Sequence, residues 1–171
     1  MKNTRKIVLL AILVAQALIL SIIESALPIP QIAQGVKLGL ANIVTMITIV
    51  LLGPREAFVV VAVRCLLASF FGGGPIVFFF SISGGILSTV VMVILYKTMS
   101  RVLSIIGISI AGAVAHNIGQ IIAAALVMRE LAVAAYLPIL LVSGIIMGCF
   151  VGICSNLLVK ALRKTGLFPN K

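Results

Sequence analysis

Apolar residues in this chain do not alternate with polar ones; they come in six long runs, separated by charges and by clusters of glycine and proline. The runs cover residues 7–27, 38–52, 57–71, 76–96, 102–128 and 131–159. A helix that crosses a bilayer needs about 20 mostly apolar residues, with a range of roughly 17 to 25. The pattern therefore predicts an all-α integral membrane protein, a six-transmembrane-helix bundle that forms one domain over residues 1–171. The second and third runs are short for a crossing, and the fifth is expected to break around Gly107.

The cations punctuate these runs unevenly. With the N-terminus inside, the inner segments hold Lys2, Arg5, Lys6, Arg55, Lys97, Arg101, Lys160, Arg163, Lys164 and Lys171, and the outer loops hold only Lys37 and Arg129. Inner loops retain Lys and Arg, so the expected placement is a multi-pass protein of the plasma (cytoplasmic) membrane with both termini cytoplasmic. A net charge of +10 is then a topology signal and calls for no nucleic acid. Lys2, Arg5 and Lys6 before an apolar stretch also fit a signal peptide. The stretch runs on past Glu24, however, and its removal would leave five spans and put the C-terminal cations on the wrong side.

Composition narrows the chemistry. Hydrophobic residues make up 63% of the chain and charged ones 9%, far below the roughly one-quarter charged residues of a soluble domain. The three acids are Glu24, Glu56 and Glu130, and there is no aspartate. No Asp-rich Mg²⁺-diphosphate site can form, no P-loop is present, and no nucleophile and base stand at catalytic spacing. Catalysis by this chain is not expected, and any energy from ATP must come from partners. Cys65, Cys149 and Cys154 lack disulfide or zinc spacing and read as small apolar fillers. With one histidine and no aspartate, neither a metal nor a cofactor is expected.

Inside lipid, helices approach through small residues. Gly144, Gly148 and Gly152 form one such ridge, and Ala111, Ala115, Gly119 and Ala123 another; both read as packing within the bundle. Ala11 and Ala15 form a third pair. Glu24 lies nine residues beyond Ala15, about half a turn away around the helix at ~100° per residue. If Glu24 points inward, the alanines face outward as a docking surface for another membrane protein.

Ionisable groups in a bilayer are costly and usually mark binding sites or proton and ion paths. Arg64 in the third run reads either as a structural partner of Glu24 or a helix C-terminus, or as a fixed cation for an anionic or carbonyl-bearing ligand. His116 and Gln120, four residues apart, share a face with Gly112, Gly119 and Ala123, with Asn117 beside them. Gln31, Gln34, Lys37 and Asn42 supply hydrogen-bonding groups near the first outer loop.

Residues 36–42 (VKLGLAN), 53–57 (GPREA), Arg64 with Leu66 and Leu67, 81–88 (SISGGILS) and 112–120 (GAVAHNIGQ) together resemble the Gx transporter family, often labelled heptaprenyl diphosphate synthase component I. The likeness covers nearly the whole chain. That family in turn resembles the S components of energy-coupling factor (ECF) transporters, six-helix membrane proteins that bind a micronutrient while a membrane coupling subunit and ATPase subunits power uptake. The resemblance implies docking through Ala11 and Ala15. It also implies a small-molecule substrate held toward the outer side, with Lys37, Asn42, Arg64, His116, Asn117 and Gln120 as candidate contacts, and membrane lipid around the bundle. The expected function is an S-component-like substrate-binding subunit for a micronutrient or an isoprenoid- or quinone-related solute. The alternative is a non-catalytic membrane accessory subunit of prenyl diphosphate or quinone synthesis. A third reading, an electron-transfer subunit of the Rnf kind, would want a cofactor at Cys65.

Overall fold

The computed structural model describes residues 3–26 and 39–165. Among them every regular element is helical: α1 (Asn3–Ala26), α2 (Asn42–Leu51), α3 (Pro54–Ala68), α4 (Gly74–Met99), α5 (Ile105–Met128) and α6 (Leu137–Lys164). A π-helical turn, Ser69–Gly73, joins α3 to α4, and a 3₁₀ turn, Leu131–Tyr136, leads into α6.

Four of the six helices, α1, α4, α5 and α6, are long and apolar enough to cross a membrane, which makes this a multi-pass membrane protein. The other two are short, as their apolar runs are, so four of the six expected spans have the length to cross. With 10 residues, α2 rises only about 15 Å, half of a hydrocarbon core of about 30 Å. Its residues from Asn42 to Ile49 are all buried, so protein rather than lipid surrounds it and bilayer thickness does not set its length. The 15 residues of α3 begin at Pro54, three positions earlier than the apolar run, because proline is pre-organised for the first helical turn.

Two tethers fix the chain direction. The Gly39 N–H donates to the Glu24 carboxylate, which brings the start of α2 to the end of α1. Lys6 and Glu56 form an ion pair, which brings the start of α3 to the start of α1. Helices α1 and α3 therefore run parallel and pack directly on one another, with α2 antiparallel to both. The reversal after α2 uses Gly53 at φ 120°, a left-handed conformation that glycine adopts without a Cβ clash. Helices α4, α5 and α6 continue as an antiparallel meander in which α5 packs extensively on both neighbours.

This alternation collects Lys6, Arg55, Lys97 and Arg163 at one end, here termed the basic end: Pro54, Lys97 and Arg163 line one cavity there, and Lys6 pairs with Glu56 beside Arg55. Within the bundle, apolar clusters cap the two ends of a polar layer. Met46, Ile49, Met92 and Ile108 lie toward the basic end, while Phe80, Ile121, Ala124 and Leu140 lie toward the other.

Helix ends differ from the sequence-based expectation where capping decides. The break expected near Gly107 is the start of α5: the Ser104 hydroxyl caps it by accepting from the Gly107 N–H. Arg129, at φ 53°, closes the same helix in the left-handed conformation. The sixth run splits into the 3₁₀ turn and α6, which carries on to Lys164.

The glycine ridge of α6 packs inside the bundle, as its spacing predicts. A Cβ at Gly148 would stand 2.6 Å from Ile110 Cα, and one at Gly152 would stand 2.6 Å from Ile106 Cα. Backbone cannot yield as a side chain can, so Gly148→Ala and Gly152→Ala should each lower stability by about 1–3 kcal/mol. Gly107→Ala is the control, since its Cβ would meet only the Leu103 side chain at 3.5 Å and the Ser104 hydroxyl at 3.9 Å. Thermal unfolding in detergent should show melting-point losses for the first two only; equal behaviour of all three would contradict the close α5–α6 contact.

The hydrogen bond from Lys6 is the main reason the Glu56 carboxyl sits below its ordinary value of 4.5, with partial burial opposing. A depressed carboxyl adds stability above its unfolded-state value and loses it as pH falls through the folded-state value. Glu56→Gln should therefore lower stability at pH 7 by less than about 1 kcal/mol for a partly exposed pair, read as a small fall in melting point. The difference from the parent protein should close below pH 4.5; a pH-independent difference would show that the pair is not its source.

Candidate functional site

The polar layer is assembled around two adjacent glycines in α4. A Cβ on Gly84 would lie 2.8 Å from Gln120 Cγ and 3.0 Å from His116 Cε1, so the bare backbone there admits both α5 side chains. A Cβ on Gly85 would lie 2.8 Å from Val61 Cγ1 and 3.3 Å from Arg64 Nη2, which admits α3 on the other side. The pair thus serves two helices at once. One carries the arginine and the other carries the histidine and glutamine.

Asn42 completes the arrangement from α2. A Cβ on Gly39 would lie 2.9 Å from Asn42 Nδ2 and 3.6 Å from His116 Cδ2, so these three residues are neighbours. Gly39 holds φ 90° and donates its N–H to Glu24, which ties α1 into the same layer. Asn42, Arg64, His116 and Gln120 are all buried, Arg64 to 3% exposure.

Hydrogen bonding within the layer is incomplete in one direction. Among the described residues, Nε and Nη2 of Arg64 and Nδ2 of Asn42 are buried without a hydrogen-bond partner, and so are the Ser81 and Ser88 hydroxyls. The nitrogens are obligate donors. An unmade hydrogen bond on a buried polar group costs about 1–3 kcal/mol, more when the group is charged, so the layer is primed for acceptor atoms. The fixed guanidinium charge biases it further toward an anion.

Four of the six contacts expected from the sequence, Asn42, Arg64, His116 and Gln120, come together here. Asn117 does not join them. Its side chain points to α6, where Nδ2 donates to the Leu140 carbonyl at 2.6 Å and packs against Gly144. One residue of helix turns a side chain by about 100°, which separates Asn117 from His116. Lys37 lies outside the described residues. Sequence reasoning missed Ser81 and Ser88 as site residues, although their positions three before Gly84 and four after it put both on the face of the glycine pair.

Ala11 and Ala15 are exposed while Glu24, on the opposite side of α1, is buried. The inward glutamate and outward alanines follow the geometry their nine-residue separation requires. Among the described residues no group of three or more His, Cys, Asp or Glu could hold a metal ion.

No curated protein and no solved structure gives a significant match to the chain. A family profile does match, over residues 13–158, from near the middle of α1 to the last turns of α6 and across every residue of the polar layer that the structure describes. With most of its length inside that match, the chain belongs to the family described as heptaprenyl diphosphate synthase component I.

Proposed function

We propose that this chain is the substrate-binding membrane subunit of a multi-component importer, S-component-like in architecture, with ATP hydrolysis supplied by partner subunits. One observation carries the reading: Arg64 is buried in the bundle with two guanidinium donors lacking a partner among the described residues. An uncompensated arginine at the centre of a membrane helix costs about 2.5–3.5 kcal/mol even on the mildest scale. A small anionic or carbonyl-bearing solute would offset that cost, bonding to Arg64 and Asn42, with the Ser81 and Ser88 hydroxyls and the ring and amide of His116 and Gln120 shaping the rest. With the basic end cytoplasmic, as the placement of Lys and Arg favours, this layer would lie nearer the outer surface. Lys37, outside the described residues, is a further candidate contact for the same solute by its charge.

Energy reaches the site through docking. The exposed Ala11 and Ala15 give α1 a smooth face on which a coupling subunit can pack closely, as small residues allow in lipid. The family description favours a second reading, a membrane accessory subunit that works beside a prenyl diphosphate synthase. The chain itself would not catalyse prenyl transfer, because it has no aspartate for a metal-diphosphate site.

Mass spectrometry of small molecules retained by gently purified protein should find an anionic or carbonyl-rich compound in the parent protein. Arg64→Ala should lose it almost entirely, and Arg64→Lys should retain it at a level reduced by about tenfold, because lysine keeps the charge but not the planar pair of donors. Equal retention by all three proteins would exclude Arg64 as the anchor. Replacing both Ala11 and Ala15 by leucine should abolish co-purification with a membrane partner and its ATPases while the isolated subunit stays folded. Intact assembly of that variant, or ATP hydrolysis by the subunit alone, would overturn the importer reading; co-purification with a soluble prenyl synthase would favour the second.

A further inference from the structure

A second candidate site lies at the basic end, away from Arg64, and goes beyond the function proposed above. The last turn of α2, the Gly53-Pro54 reversal, the end of α4 and the end of α6 surround a cavity of about 160 Å³ lined by Tyr96, Lys97 and Arg163. The Nε of Arg163 is buried without a hydrogen-bond partner among the described residues. Among the same residues neither Lys97 nor Arg163 has a carboxylate partner, and Glu56, the acid at this end, is paired with Lys6.

This cationic cavity adjoins an apolar groove of about 410 Å³ between α1, α2 and α6. Leu51 lines both spaces, and Leu162 of the groove directly precedes Arg163 of the cavity. Among the described residues α1 packs on α2 and α3 and does not reach α6, so α2 forms the floor of an open gap. Ile12 and Leu158 on its two walls are exposed. Along α1 the lining runs from Leu9 to Leu20, a rise of about 17 Å. One leaflet is half of a hydrocarbon core of about 30 Å, or about 15 Å. The groove therefore starts at the cations and runs about one leaflet deep.

We infer that the groove and cavity together bind one anionic phospholipid from the leaflet at the basic end, with an acyl chain along α1, α2 and α6 and the phosphodiester against Arg163 and Lys97. The planar fork of arginine meets phosphate oxygens with paired donors, and lysine adds a point charge beside it. Charge also selects among phospholipids. A choline or ethanolamine head would set its own ammonium next to two unpaired cations, whereas a glycerol head carries none; basic pockets between membrane helices favour anionic heads for this reason. Tyr96 stands at the depth of the head, where tyrosine is enriched. Neither Ala11 nor Ala15 lines the groove, so a lipid there leaves the proposed docking face of α1 free.

The test uses the full-length protein in detergent, titrated with palmitoyl-oleoyl phosphatidylglycerol and, separately, with the phosphatidylcholine of the same chains, and read by native mass spectrometry. One phosphatidylglycerol should bind at least about tenfold more tightly than phosphatidylcholine, and glycerol phosphate, the head without chains, should not displace it. Arg163→Gln and Lys97→Gln should each weaken phosphatidylglycerol by about tenfold, the scale of a lost charge-assisted hydrogen bond. Lys164→Gln, which removes the same charge from an exposed neighbour outside the cavity, should leave the affinity unchanged. Melting points show whether the variants fold, and the comparison of the two lipids on the parent protein stands without them. Equal affinity for the two lipids would overturn the inference, and so would an equal loss from all three substitutions, which would mark a diffuse attraction of anionic lipid to the basic end. Displacement by glycerol phosphate would remove the groove from the site, and a dimer that excludes the lipid would assign the groove to a second copy of the chain; either result overturns the inference as well. None of these outcomes bears on solute retention at Arg64, so the two proposals fail separately.

Discussion

The close approach of α3 and α5 to Gly84 and Gly85 of α4 is the contact on which the rest of the bundle's interior depends. In lipid the apolar effect that drives soluble cores together is nearly absent, and helices are held by close packing and by satisfied polar groups. Two consecutive glycines give α4 bare backbone on both the α3 and the α5 side. A side chain at either position would push away the helix that brings Arg64, or the one that brings His116 and Gln120. The polar layer therefore exists because one short stretch of α4 has no side chains.

The same device recurs without polar cargo between α5 and α6. Gly144, Gly148 and Gly152 lie against Ala113, Ile110 and Ile106, which makes the last two helices a firm backing for the layer. Asn117 reinforces that backing through its bond to the Leu140 carbonyl. The opposite side is tied differently. There α1 is held at one end by Glu24 and at the other by Lys6, and its alanine face is left open to the surroundings. A closely packed α4–α5–α6 body beside a peripheral, tethered α1 is the arrangement that the proposed internal site and α1 docking face would need.

How much of this was legible in the sequence depended on what set each feature. Bilayer thickness and charge placement set α1, α4, α5 and α6, and their apolar runs marked them closely. Burial by protein set α2, so its run overstated its length: Leu38 lies outside the described residues and Gly39 to Ala41 form a turn, before a helix with no lipid to match. Helical periodicity placed His116 and Gln120 on one face correctly and left Asn117 ambiguous, because a neighbour in sequence is about 100° away and only the partner helix decides its role. Arg64 was visible as an anomaly from its position alone. That its surroundings would be rich in unsatisfied donors was not visible, since this depends on which residues of α2 and α4 come to face it.

The central claim is that the donors of Arg64 and Asn42 are completed by a bound solute. An atomic-resolution experimental map of the protein, prepared gently from its native membrane, tests this most directly. The account predicts density that is not protein, with acceptor atoms about 2.7–3.2 Å from Arg64 Nε and Nη2 and extending toward Asn42. A guanidinium satisfied by a protein carboxylate or by backbone carbonyls, with no other molecule beside it, would contradict the account.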